Sequence, residues 1–162
     1  MNEPTGRANS WILVGALSAA IAVMTGAFAA HSLTDRFAEQ YAGQTRMVAG
    51  EEIPLARKYL ADFKTGAEYQ MTHSLALIAV GILASSRRSR MVTSAGWCFL
   101  GGILLFSGSL YALTLFGIRV LGAITPIGGV LFLVGWVFLA LGSRSGVAGT
   151  EQSSRNSARV VL

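Results

Sequence analysis

Four apolar stretches dominate this chain, each long enough to cross a bilayer core of about 30 Å, which takes roughly 20 helical residues. They run over about 11–31, 66–86, 92–116 and 120–142. Backbone groups in lipid must find their hydrogen bonds within the chain, so each stretch has to be a helix rather than an isolated strand. The expected fold is an all-α, four-helix transmembrane bundle, and the bilayer is its first partner. A soluble bundle would show a polar stripe at helical period. No charge occurs anywhere from Gly96 to Leu115, and only 13% of the chain is charged against 52% hydrophobic. Only Gly117, Ile118 and Arg119 separate the last two stretches, which predicts an antiparallel hairpin.

The first stretch also admits a cleaved signal peptide, because Ala27-Phe28-Ala29 fits the small-x-small cleavage pattern behind Arg7 and an apolar run. Its length and the three further stretches favour a retained helix. With four spans, the N-terminus, the loop at 85–91 and the C-terminal tail share one side. That side holds Arg7, Arg87, Arg88, Arg90, Arg144, Arg155 and Arg159 against Glu3 and Glu151, a net of +5. The other holds Arg36, Arg46, Arg57, Lys58, Lys64 and Arg119 against Asp35, Glu39, Glu51, Glu52, Asp62 and Glu68, which balance. The cation excess places both termini in the cytoplasm. Trp11, Trp97 and Trp136 then fall near the cytoplasmic ends, as an aromatic belt would place them.

Two units are expected: a membrane domain over 1–145 and a mobile cytoplasmic tail over 146–162, rich in Ser, Gly and Arg. The extracytoplasmic loop at 32–64 is the substantial piece outside the spans. There Glu51-Glu52-Ile53-Pro54, followed by Leu55, Tyr59 and Phe63 at four-residue spacing, predicts a Pro-started amphipathic helix lying at the outer interface.

Small residues recur at packing intervals: Ser18, Ala22, Gly26 and Ala30 by four; Ser94, Gly101 and Gly108 by seven; Gly128, Gly135 and Gly142 by seven. In lipid, helices associate through close backbone approach, so such stripes mark helix faces. They fit intrachain packing, and also a membrane-protein partner or a homo-oligomer.

Polar residues within the spans gather at one depth in the outer half: His31, then Glu68, Tyr69, Gln70 and His73, then Ser107, Ser109 and Tyr111, then Thr125 ahead of Pro126. A carboxylate or imidazole in hydrocarbon costs several kcal/mol unless paired or hydrated, so each should face the interior or the interface. Every one has a plain structural reading. His31 and Glu68 suit the headgroup level, His73 a hydrogen-bonded core position, and the Ser107–Ser109 run a bond back to carbonyls one turn earlier. Pro126 suits a kink that frees the Gly122 carbonyl. The functional reading is an outward-facing pocket for a small ligand, proton or metal, including a two-His-one-carboxylate site if His31 adjoins the start of the second helix.

A net charge of +5 invites a nucleic-acid reading, but the cations sit between apolar runs rather than along one face, so no nucleic-acid partner is expected. One cysteine, Cys98, allows neither an intramolecular disulfide nor a Cys-cluster metal site. No nucleotide loop, His-Glu-x-x-His motif or nucleophile elbow is present. No cofactor and no catalytic residue are therefore expected.

Residues 26–31 (Gly-Ala-Phe-Ala-Ala-His), 65–73 (Thr-Gly-Ala-Glu-Tyr-Gln-Met-Thr-His), 106–111 (Phe-Ser-Gly-Ser-Leu-Tyr), 125–129 (Thr-Pro-Ile-Gly-Gly) and Gly135-Trp136 occur in that order across 11–142. In this ordered set the chain resembles the YgdD-like family of small bacterial membrane proteins, domain of unknown function 423, related to the transmembrane protein 256 group. The resemblance implies a four-helix inner-membrane protein and supplies no activity. Ala29 stands where the family motif usually has glycine, and the first loop is longer than in short members. The leading expectation is a non-enzymatic packing or accessory subunit of a membrane assembly; the ligand, proton or metal pocket is the alternative.

Overall fold

The computed structural model describes residues 4–86 and 89–144. The chain runs through α1 (Pro4–His31), α2 (Leu33–Gln40), a hairpin of β1 (Thr45–Val48) and β2 (Glu51–Pro54), then α3 (Leu55–Ser86). A third long rod consists of α4 (Arg90–Gly102), a π-helical turn (Ile103–Ser107) and α5 (Gly108–Phe116); a 3₁₀ turn (Arg119–Ala123) leads into α6 (Thr125–Arg144). The tail at 146–162 lies outside the described residues.

Among the described residues, three helical segments are long and apolar enough to cross a membrane: Asn9–His31, Arg90–Phe116 and Arg119–Arg144. The stretch at 66–86 is helical too, but as the C-terminal part of α3 it carries Glu68, Gln70 and His73 and falls below that apolarity. Its position explains why it can. α3 packs against α1 on one side and against α4, the π turn and α5 on the other, while α6 lies on α4 and the π turn. The central rod therefore shows neighbouring helices much of the surface that α1 and α6 show to the outside.

The loop differs from the sequence expectation. Glu51–Pro54 is a strand, paired antiparallel with Thr45–Val48 in the register Val48↔Glu51 and Thr45↔Pro54. Ala49 and Gly50 make the turn at φ 51° and 88°, the left-handed backbone that suits a two-residue hairpin. Pro54 thus closes a strand, and helix begins at Leu55, whose N–H donates to the Gln44 carbonyl at 2.8 Å. No separate interfacial helix comes after it among the described residues. α3 continues unbroken for 32 residues, about 48 Å at the helical rise. Leu55, Tyr59 and Phe63 are buried as their spacing suggests, but they pack on Leu33, Phe37 and Tyr41 of the loop's own α2 segment rather than on headgroups.

Two apolar clusters result, one built on Leu55, Tyr59 and Phe63 of α3, the other on Ala76, Leu77 and Val80 with Trp11, Val92, Phe99 and Phe132. Tyr41 fastens the loop to the bundle by donating its hydroxyl to the Thr114 carbonyl at 2.8 Å. Burial raises the Tyr41 phenol above its ordinary pKa and neighbouring Tyr59 raises it further, while Arg36 acts the other way. The folded state thus holds this proton more tightly than the unfolded chain does. The stabilisation is complete below the ordinary tyrosine value and declines as pH rises through the elevated one.

Glycine contacts show which small-residue stripes face a neighbour. A Cβ on Gly128 would meet the Phe106 backbone, one on Gly135 would stand 2.6 Å from Phe99 Cε1, and one on Gly142 would stand 2.8 Å from Val92 Cγ2. On α1 the seam is Trp11, Gly15, Ala22 and Ala29, all buried, so of the four-spaced set Ala22 lies on the seam and the half-buried Ser18 beside it. Residues four apart drift about 40° around a helix per step, whereas residues seven apart drift about 20°. Gly26 accordingly has nothing within 4 Å of the position a methyl would take, and Ala30 is exposed. Gly101 would meet Leu131 at 3.3 Å, but Gly108 meets nothing, and Ser94 is half-buried. The π turn between Gly101 and Gly108 adds a residue to the winding and rotates the helix beyond it off the stripe by on the order of 100°.

These contacts generate two measurements. Gly128→Ala and Gly135→Ala should each lower stability in detergent by about 1–3 kcal/mol through overpacking, whereas Gly108→Ala should be neutral or raise it by up to about 1 kcal/mol through helix propensity. Thermal unfolding of the three variants checks the order. Alkaline titration should show stability falling above pH ~10 in wild type, with Tyr41→Phe removing part of that fall.

Candidate functional site

α3 carries the polar residues that organise the middle of the molecule. Gln70 and Ser74 lie four apart and share a face directed at α1, where Ser18 meets them. The Gln70 amide Nε2 donates to the Ser18 carbonyl at 3.0 Å, and its Oε1 accepts from the Tyr111 hydroxyl at 2.9 Å. Tyr111 also lies 3.2 Å from Thr25 Oγ1. Ser74 Oγ is 2.7 Å from Ser18 Oγ and 2.6 Å from the Gln70 carbonyl. One buried amide therefore links α1, α3 and α5. Gly66 permits this approach, since a Cβ there would stand 3.0 Å from the Tyr111 ring.

His73 belongs to a second cluster. Its Nδ1 lies 2.7 Å from the Tyr69 carbonyl and its Nε2 accepts the Trp136 indole N–H at 3.2 Å. A nitrogen that accepts an indole proton carries none of its own, so Nδ1 holds the ring proton and donates it to Tyr69. Both nitrogens are engaged and the imidazole is neutral. The ring stacks on Phe132, with Phe99 beside it, and Tyr69 stacks on Phe106. Trp136, 44% exposed, thus reaches His73 from α6. Trp11 is buried, against Gly96 and edge-on to Trp97 at 5.2 Å.

A third pair joins the ends of the last two rods. Ser109 Oγ is 2.8 Å from Thr125 Oγ1 and also 2.9 Å from the Phe106 carbonyl one turn back. Ser107, within the π turn, is buried with no hydrogen-bond partner for its hydroxyl among the described residues. Pro126 is the second residue of α6, where its missing N–H costs nothing, so it starts the helix instead of kinking it.

The polar residues at this depth therefore form three separate groups. Gln70 and Tyr111 meet in one, Tyr69 and His73 in another, Ser109 and Thr125 in the third. His31 and Glu68 join none of them: both are exposed at the margin, and among the described residues no three His, Cys, Asp or Glu side chains come together to hold a metal ion. The reason is angular. Glu68 stands five residues before His73, so it lies on the opposite side of α3 from the helix contacts. Sequence reasoning takes Ser18 only as a packing residue and passes over Thr25 and Ser74. Gln70 and Ser74 at four-residue spacing on one face carry that signal; the role of Trp136 has no local signal.

The model of the family described as "Protein of unknown function (DUF423)" matches residues 25–129. The chain is 45% identical over 133 residues to a UPF0382 membrane protein of Staphylococcus saprophyticus, covering 82% of this chain and 95% of that one. It is 39% identical over 132 residues to the UPF0382 membrane protein YwdK of Bacillus subtilis, covering 81% and 93%. No solved structure matches.

Hydrogen bonds between membrane helices contribute on average about 0.6 kcal/mol and at most about 1.7. A double-mutant cycle of Gln70→Leu and Tyr111→Phe should give a coupling in that range. His31→Ala and Glu68→Gln, which break no described side-chain contact, should change stability by less than about 0.5 kcal/mol. Reversible unfolding in mixed micelles measures all of them.

Proposed function

The chain belongs to the DUF423 family, and from that premise we propose that it is a four-span protein of the bacterial inner membrane, both termini cytoplasmic, serving as a non-enzymatic packing or accessory subunit of a membrane assembly. The observation that carries the reading is the fate of the buried polar groups. Gln70, Tyr111, Ser18 and Ser74 bond to one another across helices, and His73 spends both ring nitrogens on Tyr69 and Trp136. Groups committed in this way hold helices in register and leave little chemistry for a substrate.

The same pairing supports α3 as the fourth span. A helix whose Gln70, His73 and Ser74 are covered by its neighbours does not need the apolarity of one that faces lipid on all sides. The outer faces of α1 and α6 are largely exposed and apolar, with Leu17, Met24, Val130 and Leu133 among them. Those faces suit acyl chains and equally suit the helices of a second protein. A small-ligand pocket using His31, Glu68 and His73 together lacks the juxtaposition that it requires.

Orientation and assembly have separate tests. In a Cys98→Ser background, Gln40→Cys should react with an impermeant maleimide from outside intact spheroplasts, and Arg88→Cys only after lysis. Equal reactivity would remove the four-span reading. Mild detergent extraction of the tagged chain at native expression should recover a stoichiometric membrane partner or a homo-oligomer, seen as a complex by light scattering. A lone monomer across several gentle detergents would end the accessory-subunit reading.

A further inference from the structure

The end of the molecule that carries the hairpin holds a small cavity of about 180 Å³, lined by Thr45, Arg46, Leu55 and Arg119. Arg46 comes from β1 and Arg119 from the 3₁₀ turn before α6, so the fold brings together two cations from segments far apart in the chain. Neither guanidinium forms an ion pair among the described residues, where the pair is Lys58 with Asp62. The nearby Glu52 carboxylate accepts the Thr45 hydroxyl at 2.6 Å. Leu55, 3% exposed, gives the cavity an apolar floor.

Two arginines lining one niche, neither in an ion pair among the described residues, are complementary to a phosphate oxyanion, which a guanidinium can bind through two parallel N–H donors. The volume is below the roughly 300–1,000 Å³ typical of pockets that enclose a whole small molecule, so it fits a headgroup fragment. The surroundings of the niche indicate the source of that fragment. Phe116, Ile118 and Val120 flank Arg119 and are 72%, 47% and 77% exposed, and Met47 beside Arg46 is 64% exposed. A cluster of exposed apolar side chains beside a cationic niche suits the boundary between hydrocarbon and headgroups.

We propose that Arg46 and Arg119 form a binding site for the phosphodiester of an anionic membrane lipid, with Leu55 and the exposed apolar residues around Arg119 receiving its glycerol and proximal acyl carbons. A lipid whose headgroup carries its own cation, such as phosphatidylcholine, binds less well because that cation faces the same two guanidiniums. The proposal rests on the membrane reading for the location of the ligand but not on the count or direction of the spans.

The full chain in a non-ionic detergent is titrated with dioleoylphosphatidylglycerol, with dioleoylphosphatidylcholine and with inorganic phosphate, and retained lipid is counted by native mass spectrometry. Phosphatidylglycerol should be retained in preference to phosphatidylcholine. The double variant Arg46→Gln/Arg119→Gln should weaken its binding at least roughly 10-fold, since it removes both charge-assisted guanidinium contacts to the phosphate. Arg36→Gln/Arg57→Gln, which removes the same charge outside the cavity, should bind as wild type does. Should the first double variant fail to fold, Arg119→Lys keeps the charge but loses the planar fork, and should bind severalfold more weakly. Equal loss in the two double variants, unchanged binding in the Arg46/Arg119 variants, or no preference for phosphatidylglycerol overturns the site. Displacement of the lipid by inorganic phosphate, lost in the same variant, assigns the niche to the free anion and overturns the lipid. The maleimide experiment reports on the spans independently, so failure of one reading is distinguishable from failure of the other.

Discussion

An unsatisfied amide in hydrocarbon is among the costlier things a membrane helix can carry, and the arrangement of this molecule depends on how the Gln70 amide is satisfied. Its donor reaches the α1 backbone and its acceptor takes the Tyr111 hydroxyl. Those two bonds require α3 to lie between α1 and α5 at one height. The close approaches at Gly15 and Gly66 belong to the same arrangement, since a side chain at either position would push Ser74 or Tyr111 away. Apolar packing fills the space above and below this level, but packing between lipid-like surfaces has little preference for one register over the next. The polar level supplies that preference.

Much of this is legible in the sequence, and the rest is hidden for identifiable reasons. Helices at 11–31, 92–116 and 120–142 come from length and apolarity, the last beginning only at Thr125 after a 3₁₀ turn, and the tight turn at Gly117, with φ of 70°, from its glycine. The seven-spaced glycines of α6 meet their neighbour because that period tracks a contact seam. Gly26, Ala30 and Gly108 do not, the first two because a period of four drifts, the third because the π turn changes the phase. Nothing in Ile103–Ser107 announces a π turn locally. The Ala49-Gly50 turn escapes a sequence reading because Ala is a poor hint of left-handed backbone, and the Pro after Glu-Glu-Ile reads equally well as a helix start.

For the polar residues, depth is legible and azimuth is not. The named side chains occupy a narrow range of heights, yet they divide among three sides of α3 and α5, and two of them point away from the helix contacts. Partners as distant in the chain as Trp136 and His73 meet only because α6 lies against α4, a relation that local pattern suggests without specifying rotation. Arg46 and Arg119 line a small concavity of their own, and both sit in connections that periodicity does not describe.

The unbroken course of α3 has a mechanical implication. From Leu55 at the hairpin to Ser86 there is no glycine pair, proline or change of winding at which the rod could flex. The loop helix and hairpin are thus clamped to the upper arm of a stiff lever whose fulcrum is the Gln70 level. A tug on the hairpin end would tilt the far arm in the opposite sense, with no joint along the rod to absorb it.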